Sequence, residues 1–223
     1  MIHELTTAQI AALRLKPDRP LVICDVDEVI VHFTSEFEEF LETHGMWLDT
    51  STWERLNACV RHRVSKQLIG AVETERIVHL FFAERTRHMK AISGAVEAIL
   101  DISRFADVVM LTNLPHEAGD HRRENLAGHG VNFPVVTNSG PKGPAIREIA
   151  ANVTAPVVFI DDSPGFITSA FHHAPQVHLI HFVQDDRFAQ IFEPLDFVSL
   201  RTGNWEEAVP HVMRLIAGQF HQS

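Results

Sequence analysis

Leu21-Val22-Ile23-Cys24-Asp25-Val26-Asp27 is an apolar run that ends on a carboxylate, with a second carboxylate two residues further on. Four apolar residues without polar alternation fit a strand buried on both faces, as in a parallel sheet covered by helices. Moving outward, Val108-Val109-Met110-Leu111, Val157-Val158-Phe159-Ile160 and residues 177–182 carry the same pattern, and the first two of these again run into polar residues, Thr112 and Asp161. Helix-like stretches lie between the runs, at 94–105 with Ser93 as N-cap, 115–129, 143–151 and 164–173. Strands alternating with helices predict a doubly wound α/β fold. Residues 205–220 read as a closing helix.

The alternation stops once, between Val29 and Ile92. A connection of about 60 residues is too long for a loop. Residues 30–92 are therefore expected to form a small, mainly helical domain inserted into a core made of 1–29 and 93–223. Within it, 33–43 and 72–89 have apolar faces (Phe33, Phe37, Phe40 and Leu41; Ile77, Leu80, Phe81 and Met89), whereas 59–69 alternates only in part and fits a hairpin or a helix equally well.

With 223 residues, 45% of them hydrophobic and 22% charged, the chain buries enough apolar surface to fold without a metal or disulfide staple. Any metal is then expected to serve chemistry. Nineteen basic against 29 acidic residues give a net charge of −10, which disfavours a nucleic-acid surface. Two cysteines, Cys24 and Cys59, build no disulfide framework. No apolar run approaches the roughly 18–20 residues that span a bilayer, and residues 1–15 lack the pattern of a secretory leader, so the expectation is a cytoplasmic protein without a membrane partner. The 15 histidines would remove much of the negative charge in mild acid.

In an open α/β sheet ligands bind beyond the carboxyl ends of the strands. Those positions hold Asp25 and Asp27, then Thr112 and Asn113, then Asp161 and Asp162, while Lys142 sits in a Gly-Pro-Lys-Gly-Pro turn before a helix. Four carboxylates on one edge are electrostatically poor without a cation, and a hard divalent ion such as Mg2+ relieves them. A carboxylate beside an acid/base suits a two-step phosphoryl transfer through an acyl-phosphate. Lys142 and Thr112 would then stabilise and hold the phosphoryl oxygens.

This ordered set, Asp25-Val-Asp27, Leu-Thr112-Asn113, Lys142 and Ile-Asp161-Asp162, resembles the four motifs of the haloacid dehalogenase (HAD) superfamily across residues 21–164. The resemblance implies a Rossmannoid parallel sheet flanked by helices, with residues 30–92 as a C1-type cap. It implies Asp25 as nucleophile, and Asp27 as general acid/base and as a metal ligand through its backbone carbonyl. Thr112 becomes a phosphate binder with Asn113 beside it, Lys142 the charge stabiliser, Asp162 the direct Mg2+ ligand, and Asp161 the orienting partner of Lys142 at the metal. A phosphatase acting on a small phosphorylated metabolite is the implied activity, with a homodimer left open. A non-catalytic phospho-ligand binder and a dehalogenase stand as alternatives. Retention of Asp27 favours phosphoryl transfer over dehalogenation.

Two positions depart from the pattern. Glu28 stands where the family most often has glycine, and no acidic residue or asparagine follows Asp161-Asp162 within Ser163-Pro164-Gly165-Phe166. His116, a few residues past Thr112-Asn113, is placed within reach of the phosphate or leaving group. Trp47, Trp53 and Arg61-His62-Arg63 are the substrate-facing candidates of the insertion. Cys24 reads as a small core residue rather than a nucleophile. The histidine pairs 172/173 and 178/181 point apart and make no metal site.

Overall fold

The computed structural model describes residues 2–52 and 59–218. In chain order the elements are α1 (Glu4–Ala11), β1 (Leu21–Cys24), α2 (Thr34–Thr43), β2 (Met46–Leu48), β3 (Val60–His62), α3 (Ala71–Arg85), α4 (Ala95–Ser103), β4 (Asp107–Asn113), α5 (Gly119–Gly128), β5 (Val135–Asn138), α6 (Gly143–Ala150), β6 (Val157–Asp161), α7 (Pro164–His173), β7 (His178–Phe182), α8 (Asp186–Ile191), β8 (Leu200–Thr202) and α9 (Trp205–Ile216). Six strands form one parallel sheet in the order β5-β4-β1-β6-β7-β8. The sheet is the doubly wound, Rossmannoid α/β fold that the sequence predicts.

All four residues of β1 are buried, and successive side chains enter opposite layers. Leu21 and Ile23 join the layer under α1, α6 and α7 through Ile10, Ile146, Ile149 and Ile167. Val22 and Cys24 join the layer under α4 and α9 through Ile99, Ile102, Trp205 and Val212. That two-sided cover is why the strand reads as an uninterrupted apolar run. Cys24 is part of this core, as expected of a small apolar residue.

Between β1 and α4 the chain forms α2, an antiparallel β2–β3 hairpin and α3. Phe37, Phe40 and Phe81 are buried together there, with ring centroids 5.1–6.5 Å apart. They continue into the same apolar cluster as Val22 and Val29. Residues 59–69 adopt the hairpin alternative, with Leu48 opposite Val60 and a further bridge from Arg61 to Leu68. Trp53 lies outside the described residues. The helix expected from residue 115 begins instead with a 3-10 turn at His116–Ala118, and α5 proper starts at Gly119. Among the described residues no helix is long and apolar enough to cross a membrane.

Candidate active site

The strand order reverses about β1, from β4 and β5 on one side to β6, β7 and β8 on the other, so the carboxyl ends of β1, β4 and β6 face one crevice. Cys24 is in register with Met110 and with Ile160, and the Asp25 amide donates to the Ile160 carbonyl at 2.9 Å. Asp25 is thereby fixed one step beyond the sheet, level with Asp161.

Lys142 is fully buried and lies between the two carboxylates, its Nζ 2.7 Å from Asp25 Oδ1 and 2.6 Å from Asp161 Oδ2. Burial alone would lower its pKa, but Asp161 and Asp25 outweigh that and raise it, so the ammonium keeps its proton. Asp161 Oδ1 accepts the Ser163 amide at 2.9 Å. Lys142 and Asp161 are thus direct partners, each fully buried.

Asp25, Asp161 and Asp162 each offer an oxygen within 4.8 Å of the others. Against them stands the single ammonium of Lys142, leaving an excess of two negative charges in a buried setting. The excess shows in the carboxyls themselves. Burial pushes Asp25 up to about 7 against the pull of Lys142. Burial, and then the neighbouring Asp161, Asp25 and Glu28, hold Asp162 well above the usual carboxylate range. Oxygen donors only, hard and anionic, with a deficit of two positive charges, fit a Mg2+-like ion. Asp27 does not contribute its side chain to this cluster.

The Asp27 carboxylate is held instead by Arg122, whose Nη2 donates to Oδ1, and by Thr112, whose hydroxyl donates to Oδ2 at 3.3 Å. Burial raises the Asp27 carboxyl and Arg122 pulls it back. Asn113 lines the crevice, but its amide is committed to the loop before α6, donating to the Gly140 carbonyl at 2.8 Å and accepting from Asn138 at 2.9 Å. It therefore anchors the turn that carries Lys142. His116 is turned away: its ring stacks on His3 with centroids 4.3 Å apart, and Nδ1 meets the Thr137 hydroxyl at 2.6 Å. The 3-10 turn after Pro115 swings it toward the N-terminal segment.

Glu28 is buried with φ of 60°, in the left-handed region that suits glycine. Its Oε1 accepts the amides of Phe33 at 2.8 Å and Thr34 at 2.5 Å, at the start of α2, and Oε2 accepts the Gln184 amide at 2.8 Å. The carboxylate thus ties the loop after β1 to α2 and to the loop after β7.

A cavity of about 360 Å3 opens over Asp25, Asp27 and Asp162. Trp47, Arg61 and Arg63 do not line it. Arg61 Nε is 2.7 Å from Asp49, Arg63 pairs with Glu42, and Trp47 carries Lys66 over its ring at 5.4 Å. These side chains serve the hairpin's own packing. A larger groove of about 720 Å3, bordered by Val72, Leu80, Pro115 and His121, contains none of the four aspartates. Arg122, Gln184 and the phenylalanines around the cavity are absent from the sequence motifs and enter the site only through tertiary contacts.

Comparison of the sequence with protein-family models and with curated proteins finds no match. Comparison of the fold with solved structures finds HAD-like hydrolases. A HAD-like family protein of Streptococcus pneumoniae superposes with a TM-score of 0.62 at 9% identity, covering 87% of this chain and 98% of that one. YfnB of Bacillus subtilis, a HAD-type protein bound to magnesium, gives 0.59 at 15% identity over 86% and 97% of the two chains. CbbY of Rhodobacter sphaeroides, in complex with phosphate, gives 0.57 at 13% identity over 84% and 95%. The chain thus has the fold of the HAD-like hydrolases.

Proposed function

We propose that the protein is a Mg2+-dependent phosphomonoesterase of the HAD type, working through an aspartyl-phosphate at Asp25. The observation that carries this is the buried Asp25–Lys142–Asp161 array, with Asp162 beside it and Asp27 fixed two residues from the nucleophile. Asp25 attacks phosphorus while protonated Asp27 gives its proton to the departing alkoxide oxygen. Asp27 then takes a proton from water, whose oxygen attacks the acyl-phosphate, releasing phosphate and restoring the Asp25 carboxylate. Lys142 keeps its charge throughout and neutralises the transferring oxygens.

Asp25, Asp162 and the Asp27 carbonyl are the proposed metal ligands, with Asp161 next to them holding Lys142. A divalent ion bound there supplies Lewis-acid neutralisation of the phosphoryl group. Thr112 is assigned to orienting Asp27, and Asn113 to holding the Lys142 turn beside the phosphoryl site. A small phosphorylated substrate, a cytoplasmic location, and the absence of nucleic-acid and membrane partners belong to the same proposal.

The test is Mg2+-dependent phosphate release from an aryl phosphate. Wild-type protein is expected to turn over, and Asp25→Asn, shown to be folded, is expected to be inactive. A folded, Mg2+-supplied wild type that hydrolyses no member of a broad phosphate-ester panel would overturn the proposal.

A further inference from the structure

The cavity over Asp25 has two unlike halves. Its floor is made of carboxylates. Its walls are mostly apolar, with Phe33, Val78 and Phe82 contributed from the segment between β1 and α4, and Phe166, Phe188 and Phe192 from α7, α8 and the residue that ends α8, while Thr34, Asn113 and Ser163 add neutral polar groups. The rings stack within each wall: Phe33 and Phe82 have centroids 5.7 Å apart, and Phe188 and Phe192 5.6 Å apart at an interplanar angle of 11°. They nonetheless frame about 360 Å3 of open space instead of closing on one another.

The charges of the lining are one-sided. Asp25, Asp27, Glu28 and Asp162 border the cavity, and among its described lining residues there is no lysine or arginine. Lys142 lies at the Asp25 end, 4.8 Å from the centre of the Phe166 ring, where it serves the phosphoryl position. The Glu28 carboxylate is already occupied by the Phe33 and Thr34 amides and by Gln184. A second anionic group on the substrate would face phenyl rings and Glu28 with no cationic side chain in the lining to pair with, and burying an unpaired charge is costly. An aromatic or branched hydrocarbon would instead stack on rings and leave no polar group unmet.

On the phosphatase reading given above, we infer that the alcohol part of the substrate is apolar, aromatic or branched, and carries no second anionic group. Glu28 then acts as a positioning residue for Phe33, because it fixes the start of α2 and with it the ring that forms one wall.

Benzyl phosphate, phosphoglycolate and phosphocholine, three phosphates of primary alcohols, provide the kinetic comparison in the presence of Mg2+. The expected kcat/KM for benzyl phosphate exceeds each of the other two by about tenfold or more, the scale on which an apolar pocket discriminates. Equal or better turnover of phosphoglycolate would overturn the inference while leaving the phosphatase reading in place. Equal or better turnover of phosphocholine would do the same and point to a cation-binding cage.

Failure to hydrolyse any of the three would count against the phosphatase reading, and the pocket chemistry is then read by binding. Calorimetry with benzylphosphonate and phosphonoacetate, both with Mg2+, should show benzylphosphonate tighter by about tenfold. Phe192→Lys, at a half-buried position, should narrow or reverse that ratio. Tighter binding of phosphonoacetate to the wild type, or binding of neither ligand, would overturn the inference.

Discussion

The guanidinium of Arg122, fully buried on α5, is ion-paired with the Asp27 carboxylate on the loop after β1. The contact is part of a chain. Arg122 Nη1 donates to Asn125 Oδ1 at 3.3 Å, and Asn125 Nδ2 donates to the Met89 carbonyl at 2.8 Å, at the end of the segment inserted after β1. One buried cation therefore joins the proposed acid/base, α5 and the end of the segment that returns to α4. Removing one partner of a buried pair leaves the other desolvated and uncompensated, at about 3–5 kcal/mol. Arg122→Met is expected to lose stability on that scale, and Asp27→Asn to restore part of it in the double variant. Urea unfolding of the four proteins measures the coupling, and additive losses would show that the pair does not act as a unit.

Glu28 makes a separable contribution through its backbone and its carboxylate. The φ of 60° costs a non-glycine residue about 1 kcal/mol or more, while the bonds to the Phe33 and Thr34 amides work as a helix cap worth about 0.5–2 kcal/mol. Glu28→Ala keeps the backbone cost and loses the cap. Glu28→Gly loses the cap but relieves the backbone. Glu28→Ala is expected to be less stable than the wild type, and Glu28→Gly more stable than Glu28→Ala by about 1 kcal/mol. Equal stability would mean that the left-handed backbone carries no cost here.

What the sequence revealed and what it hid follow from the same physics. The central strands stood out because they are buried on both faces. β5, Val135–Asn138, did not, because its buried Thr137 and Asn138 are satisfied by donating hydrogen bonds to distant residues, the side-chain oxygens of Gln9 and Asn113. α1 shows no apolar periodicity, since only Thr6 and Ile10 of its residues are buried. Within the site, the aspartates and Lys142 were legible because each follows a strand or opens a helix. Arg122 was not, since it sits in the polar stretch Asp120-His121-Arg122-Arg123-Glu124 and meets Asp27 across 95 positions of chain. His116 shows the converse: closeness in sequence to Thr112 did not survive one turn of 3-10 helix.

Gly143, directly after Lys142, is required by the approach of α6 to α7. A Cβ built there would lie 2.1 Å from the Ser169 carbonyl oxygen and 2.6 Å from its carbon, both backbone atoms. The Gly143 amide meanwhile donates to the Ser169 hydroxyl oxygen at 3.0 Å. Gly143→Ala must therefore push two helices apart, with a cost of about 1–3 kcal/mol or more. The displaced turn carries Lys142, so phosphate release should fall together with the melting temperature. Gly128→Ala, where a Cβ meets nothing within 4 Å, is the control expected to leave both nearly unchanged.

The His3–His116 stack sets a pH dependence whose sign can be worked out. Burial, and then the neighbouring His3, lower the pKa of His116 below the ordinary histidine value of about 6.5. The folded state thus binds this proton less readily than the unfolded chain does. Stability from the neutral ring is fully present above the unfolded value and is lost as the pH falls from there toward the folded value. The stabilisation of wild type over His116→Gln should accordingly be largest near pH 7.5, and should shrink on going to about pH 5.5. Melting temperatures of the two proteins across that range provide the measurement. A difference that stays constant, or grows in acid, would show that the ring accepts its proton equally well, or better, in the folded protein.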